Sequence, residues 1–192
     1  MKNYIDFIDK NTTIIPKYDN GKFNFSSSKI LPKRIEISNI NKIKKKLFKK
    51  FKKIKKLLCL DFHGVTDLFD INEKIGSFPK SFNKCIISFI GGSPNTLGNT
   101  INSIIPRIQS GEVKLGILVY NKNDNPIEGT KGFIIKIILE ILPDLEIYFI
   151  DDSKININCV EKLNDNRINL FYIDKHKEPK LQLTNIFKQF LI

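Results

Sequence analysis

The spacing of apolar positions along the chain changes character near residue 57. From Leu57 onward, short apolar runs alternate with stretches of helical period, the pattern of an α/β domain built on a mostly parallel sheet. The runs predict strands over Leu57–Phe62, Cys85–Ile90, Lys114–Tyr120, Glu146–Ile150 and Ile168–Ile173. Between them the spacing predicts helices over Asn95–Gln109, behind Ser93-Pro94, over Lys131–Ile141, which stops before Pro143, and over Ile155–Asn164. A last amphipathic segment, Leu181–Leu191, is expected to pack back on the sheet.

Upstream the pattern is different. Residues 1–40 read as an N-terminal extension of short strands or partly disordered chain, with a hairpin turn at Asp19-Asn20-Gly21, where Asn and Gly tolerate positive φ. Residues 41–56 place Ile43, Leu47, Phe51 and Ile54 at helical spacing among ten lysines and no acid, which predicts a lysine-rich amphipathic helix. The main α/β domain is then 57–192.

Composition narrows the class. Of 192 residues 41% are hydrophobic, enough for a sizeable core without disulfides or metals. There is no run of 18 apolar residues and no charged-then-apolar leader, so an intracellular protein without a membrane span is expected. Cys59, Cys85 and Cys159 are odd in number and lie in apolar stretches, the mark of reduced core residues. The chain lacks Ala and Trp, and 29 of its 32 basic residues are Lys, as an AT-rich coding sequence produces, so lysine abundance alone says little about partners. Its distribution says more: residues 1–56 hold 17 Lys and Arg against four Asp and Glu, while residues 57–192 hold 15 against 16.

In open parallel sheets a ligand site forms beyond the carboxyl ends of the strands. Four such places carry chemistry here: Asp61-Phe62-His63-Gly64-Val65-Thr66-Asp67, Gly91-Gly92-Ser93, Gly129-Thr130-Lys131-Gly132 and Asp151-Asp152-Ser153. Carboxylates can attack phosphorus or hold a hard, oxygen-seeking Mg²⁺, and a hydroxyl and an ammonium can neutralise phosphate oxygens. Ser93 would also cap the helix behind it.

Leu57-Leu58-Cys59-Leu60-Asp61-x-x-Gly64, a Ser ending the next strand, a Lys opening a later helix, and Ile147-Tyr148-Phe149-Ile150-Asp151-Asp152-Ser153 resemble the four motifs of the haloacid dehalogenase-like (HAD) hydrolase superfamily. The resemblance covers about residues 57–176 and implies a HAD-like Rossmannoid three-layer sandwich, here with a basic N-terminal extension. It also implies Mg²⁺-dependent hydrolysis of phosphate esters. By position in that pattern, the resemblance implies that Asp61 would be the nucleophile that forms an aspartyl-phosphate, Ser93 the phosphate-binding residue and Lys131 the residue that stabilises the phosphoryl group. Asp152, with Asp151 beside it, marks the metal site, where Mg²⁺ would also meet Asp61 and the backbone carbonyl of His63.

One position departs from the family. The second Asp that serves as general acid and then base is replaced by His63. Imidazole can do both jobs near its ordinary pKa of about 6.5, whereas a neighbouring Mg²⁺ makes it a poorer acid. Three readings stay open: a phosphatase using His63, a slow phosphatase or phosphotransferase, and an inactive binding descendant. Ser88 and Thr96 also compete with Ser93 for the phosphate-binding role.

Spacing bears on the substrate. About 23 residues separate Asp61 from the second strand, and 38 separate Ser93 from Lys131, which leaves no room for a large cap domain. Capless members of the superfamily tend to act on macromolecules or rely on a partner to cover the site, so the resemblance makes nucleic-acid ends or phosphoproteins candidate substrates. The lysine helix has three readings of its own: a solvated helix docked by its apolar stripe, a binder of nucleic acid or another polyanion through residues 42–56, and attachment to an anionic membrane surface.

Overall fold

A computed structural model describes residues 4–19, 22–31, 33–70, 73–76, 82–90, 94–120 and 130–190. The elements run β1 (Tyr4–Ile8), β2 (Thr13–Asp19), β3 (Lys22–Leu31), β4 (Lys33–Glu36), α1 (Ile40–Phe51), β5 (Lys56–Leu60), β6 (Phe82–Ile90), α2 (Pro94–Gln109), β7 (Leu115–Tyr120), α3 (Thr130–Ile141), β8 (Glu146–Asp151), α4 (Lys154–Glu161), β9 (Ile168–Tyr172) and α5 (Pro179–Gln189). A short 3-10 turn, Thr66–Leu68, interrupts the connection from β5 to β6.

Seven strands form one sheet in the order β4-β1-β7-β6-β5-β8-β9. The five from β7 to β9 are parallel, while β1 pairs antiparallel with both β7 and β4. Numbered along the chain, the parallel strands lie third, second, first, fourth, fifth, the doubly wound order in which successive crossovers leave the first strand on opposite sides. Because both faces are covered, β5 reads as an unbroken apolar run. Leu57 and Cys59 enter one core with α1, α3 and α4, and Leu58 and Leu60 enter the other with α2 and α5. The result is an α/β fold on a mostly parallel sheet, as the apolar pattern predicts, with helices on both faces and each strand and helix expected in residues 57–192 within a few residues of its predicted bounds.

The first 40 residues extend the main sheet through β1 and β4. Between these strands β2 and β3 form a separate two-stranded sheet, with Asp19 opposite Lys22. The turn expected at Asp19-Asn20-Gly21 has Asn20 and Gly21 outside the described residues. The strands are longer than the sequence suggests, and their register shifts between Ile15 and Lys17, where Pro16 removes a ladder donor.

Helix α1 starts one residue before the expected segment and ends five before it. Asn39 accepts a hydrogen bond from the Lys42 N–H at its start, and Ile43, Leu47 and Phe51 are fully buried against the sheet. The lysines of this helix are divided. Lys46 and Lys50 both reach Asp9, at 2.7 and 3.0 Å, tying the helix to the end of β1. Cys59 and Cys85 face each other across β5 and β6 as buried free thiols.

Asp9 is nearly covered. Burial raises its pKa, but the two ammonium groups and the Asn11 N–H outweigh that and lower it to about 2. A carboxylate depressed in the folded chain adds stability above its unfolded pKa of about 3.8, lost as pH falls through about 2. Asp9→Asn should therefore cost about 2 kcal/mol at pH 7, read from urea denaturation, and the difference from wild type should vanish by about pH 2.

Candidate functional site

The chain leaves β5 toward β6 and β7 on one side and returns through α3 to β8 on the other, which opens a crevice beyond the carboxyl ends of β5 and β8. Asp61 stands there directly after β5. Its N–H donates to the Ile150 carbonyl at 3.0 Å, carrying the β5–β8 pairing one residue further and setting Asp61 beside Asp151. The Asp61 carbonyl accepts from both the N–H and the hydroxyl of Thr66, at 3.2 and 2.6 Å, which closes the turn that follows. Gly64 takes φ +71° in that turn, and a Cβ there would fall 2.4 Å from Asp152 Oδ2. Only glycine fits both the backbone and the space.

Lys131, in the first turn of α3, reaches across the crevice. Its Nζ lies 2.7 Å from Asp61 Oδ1 and 2.6 Å from Asp151 Oδ2, with the side chain 1% exposed. The next residue, Gly132, allows α3 to approach α4 closely, since a Cβ there would sit 3.1 Å from the Cys159 carbonyl oxygen. Asp151, fully buried at the end of β8, is held from the other side. Its Oδ1 accepts from the Ser153 N–H at 2.8 Å, and the Asn156 amide donates to both carboxylate oxygens at 3.0 and 3.2 Å.

Two carboxylates thus share one ammonium, with Asp152 close by. Burial raises the pKa of Asp61, Lys131 lowers it and Asp151 raises it again, leaving it well above the ordinary carboxylate value. Asp152 is also raised, first by burial and then by Asp151. Burial pulls the Lys131 ammonium down, but the two carboxylates against it overcome that and hold it above its ordinary value, so it stays charged. One oxygen from each of Asp61, Asp151 and Asp152 lies within 4.8 Å of the others. These three carboxylates could together hold a metal ion, for which hard oxygen donors suit a hard cation.

His63 lies beside this group with its ring edge-on to Phe62 at 4.8 Å. Its pKa is raised, chiefly by Asp67, against the opposing effect of burial, with Asp61 and Asp152 adding to the rise. The Nδ1 to Asp67 Oδ2 separation is 3.6 Å, an ion-pair contact too long for a hydrogen bond. The other ring nitrogen, Nε2, is covered and has no hydrogen-bond partner among the described residues.

Of the residues singled out from the sequence, Asp61, Lys131, Asp151 and Asp152 converge, and His63 adjoins them. Ser93, with Gly91 and Gly92, lies outside the described residues. Of its competitors, Ser88 is buried within β6 and Thr96 falls in the first turn of α2. Two further residues organise the site, Thr66 and Asn156. Asn156 had a visible signal, because it shares the buried face of α4 with Val160 four residues on, an unusual place for an amide.

Removing the ammonium leaves two adjacent buried carboxylates unpaired. Lys131→Met should lose about 3–5 kcal/mol in urea denaturation at pH 7 with EDTA present. Adding Asp61→Asn should recover part of that loss, as a double-mutant cycle reads.

Comparison of the chain with protein-family models, with curated proteins and with solved structures finds no match.

Proposed function

We propose that this chain is a Mg²⁺-dependent phosphohydrolase of the HAD type, without a cap domain, that works through an aspartyl-phosphate on Asp61. The observation that carries the reading is the buried Lys131 bridge between Asp61 and Asp151, at the switch point of a doubly wound sheet, with Asp152 alongside. Asp61 Oδ1 is occupied by Lys131 and by the Phe62 N–H at 2.7 Å, whereas Oδ2 accepts no hydrogen bond from a described residue. Oδ2 is therefore the oxygen that attacks phosphorus. A new O–P bond forms, the bond from phosphorus to the ester oxygen breaks, and the departing oxygen takes a proton from His63. In the second half His63 accepts a proton from water, whose oxygen attacks the phosphorus, freeing phosphate and the Asp61 carboxylate.

Asp61, Asp152 and the His63 backbone carbonyl, with Asp151 behind them, are the groups that would hold Mg²⁺. Bound there, it supplies positive charge to the phosphate oxygens. Lys131 adds fixed charge on the same side, and Ser93 is the proposed donor to the phosphate. A second reading, a catalytically silent binding module of the same fold, draws on His63 standing where the family has its acid.

The test is phosphate release with Mg²⁺ from an aryl phosphate and from 3′- and 5′-phosphorylated oligonucleotides. Release should vanish in Asp61→Asn and with EDTA, and fall about 10²–10⁴-fold in His63→Ala. Equal release from Asp61→Asn, or none from any substrate, overturns the phosphohydrolase. Release by His63→Asp alone supports the silent module.

A further inference from the structure

The outer face of α1 carries a second chemistry that does not depend on the phosphohydrolase reading. The ten lysines of residues 42–56 fall into two sets. Lys46 and Lys50 are spent on Asp9, Lys44 pairs with Glu140, Lys55 with Asp144 and Lys56 with Glu146. Lys42, Lys45, Lys49, Lys52 and Lys53 are exposed and form no ion pair with any described residue. Four of these, Lys42, Lys45, Lys49 and Lys52, recur at intervals of three, four and three, so they line one strip of a helix about 15 Å long. No Asp or Glu occurs between Glu36 and Asp61 to offset them. Phe48 lies beside the strip and is 47% exposed.

A solvated helix face needs no such clustering of a single sign, and like charges this close repel one another unless a polyanion is present. The two polyanionic surfaces that suit an amphipathic basic helix are a nucleic acid and an anionic membrane, and burial separates them. Membrane attachment of this kind sinks the apolar stripe into the lipid. Here the stripe is committed elsewhere: Ile43, Leu47 and Phe51 are fully buried and Ile54 nearly so, all within the core shared with α3. What remains outside is charge with one accessible ring, the combination that binds a sugar-phosphate chain and stacks a base.

We propose that the outer face of α1 is a binding surface for single-stranded nucleic acid, with Lys42, Lys45, Lys49 and Lys52 on the phosphates and Phe48 against a base. The strip is rigid because the opposite face of the helix is locked by the core and by Asp9.

Binding of a fluorescein-labelled oligothymidine 20-mer to full-length Asp61→Asn protein, followed by anisotropy across a salt series, tests this without turnover. Neutralising the strip as Lys42→Gln, Lys45→Gln, Lys49→Gln and Lys52→Gln should weaken binding at least tenfold at low salt and flatten the slope of log K against log salt by about 3. Phe48→Ala should weaken binding about fivefold or more with the slope unchanged, the signature of lost stacking. A control that removes four exposed lysines elsewhere, Lys74, Lys136, Lys154 and Lys162, should leave the affinity within twofold. Because the strip lysines make no ion pair with a described residue, the thermal unfolding of each lysine variant should match that of the parent. No binding, equal loss in the control, or binding to phosphatidylserine vesicles in place of the oligonucleotide overturns the proposal.

Discussion

A buried ammonium is the constraint on which the site and much of the sheet depend. Lys131 sits where a charge costs several kcal/mol unless it is paired, and the pairing it receives comes from two strands at once. Asp61 and Asp151 end neighbouring parallel strands in register, so without the cation their like charges would oppose the pairing that aligns them. The ammonium turns that conflict into a three-centre bridge joining β5, β8 and the first turn of α3. Its position in turn requires the close α3–α4 approach at Gly132 and the amide of Asn156 behind Asp151. These features have a common cause: the charge must be satisfied within a space from which water is excluded.

The connection from β5 to β6 shows the same logic at a distance. It carries Asp61 and His63, and although Phe62, Val65, Phe69 and Ile75 anchor it in the core, its irregular backbone leaves carbonyls that need donors. Arg107, fully buried on α2, donates to the carbonyls of Phe69, Asp70 and Glu73 and to the Glu112 carboxylate. Lys84, on β6, donates to the Ile75 carbonyl beside the same Glu112. Two cations and one acid thereby clamp the segment that carries position 63. The loop that would set the acid–base group is fixed by charge, and its geometry depends on residues far along the chain.

How much of this was legible in the sequence follows from the range of each interaction. The five central strands and their helices were readable because burial on both faces writes itself locally, as in Leu57–Leu60 and Ile147–Ile150. The convergence of Asp61, Lys131, Asp151 and Asp152 was expected from strand ends and the start of α3, since topology and not local sequence brings them together, while Ser93, expected to join them, lies outside the described residues. The antiparallel edge formed by β1 and β4 was not readable, because Ile5 and Phe7 give no sign that their partners are Val119 and Ile117. Nor was the pairing of Asp9 with Lys46 and Lys50, residues almost forty positions away with nothing in their local context to distinguish them from the lysines beside them.

That last pairing changes what the N-terminal basic segment is. A run of lysines rising from codon bias could be a loose, solvated arm whose charge acts only as a diffuse field. Asp9 excludes this for α1, because two lysines converge on a covered carboxylate while the apolar stripe beside them fills the core. Composition bias supplies lysines without regard to position. It does not supply an acid at the end of β1 to meet two of them, nor does it leave the others aligned on the opposite face. The helix therefore belongs to the sandwich, and its remaining charge is held in a fixed place relative to the sheet. Any polyanion on that face would be held in a defined orientation to the crevice between β5 and β8, which a flexible tether could not impose.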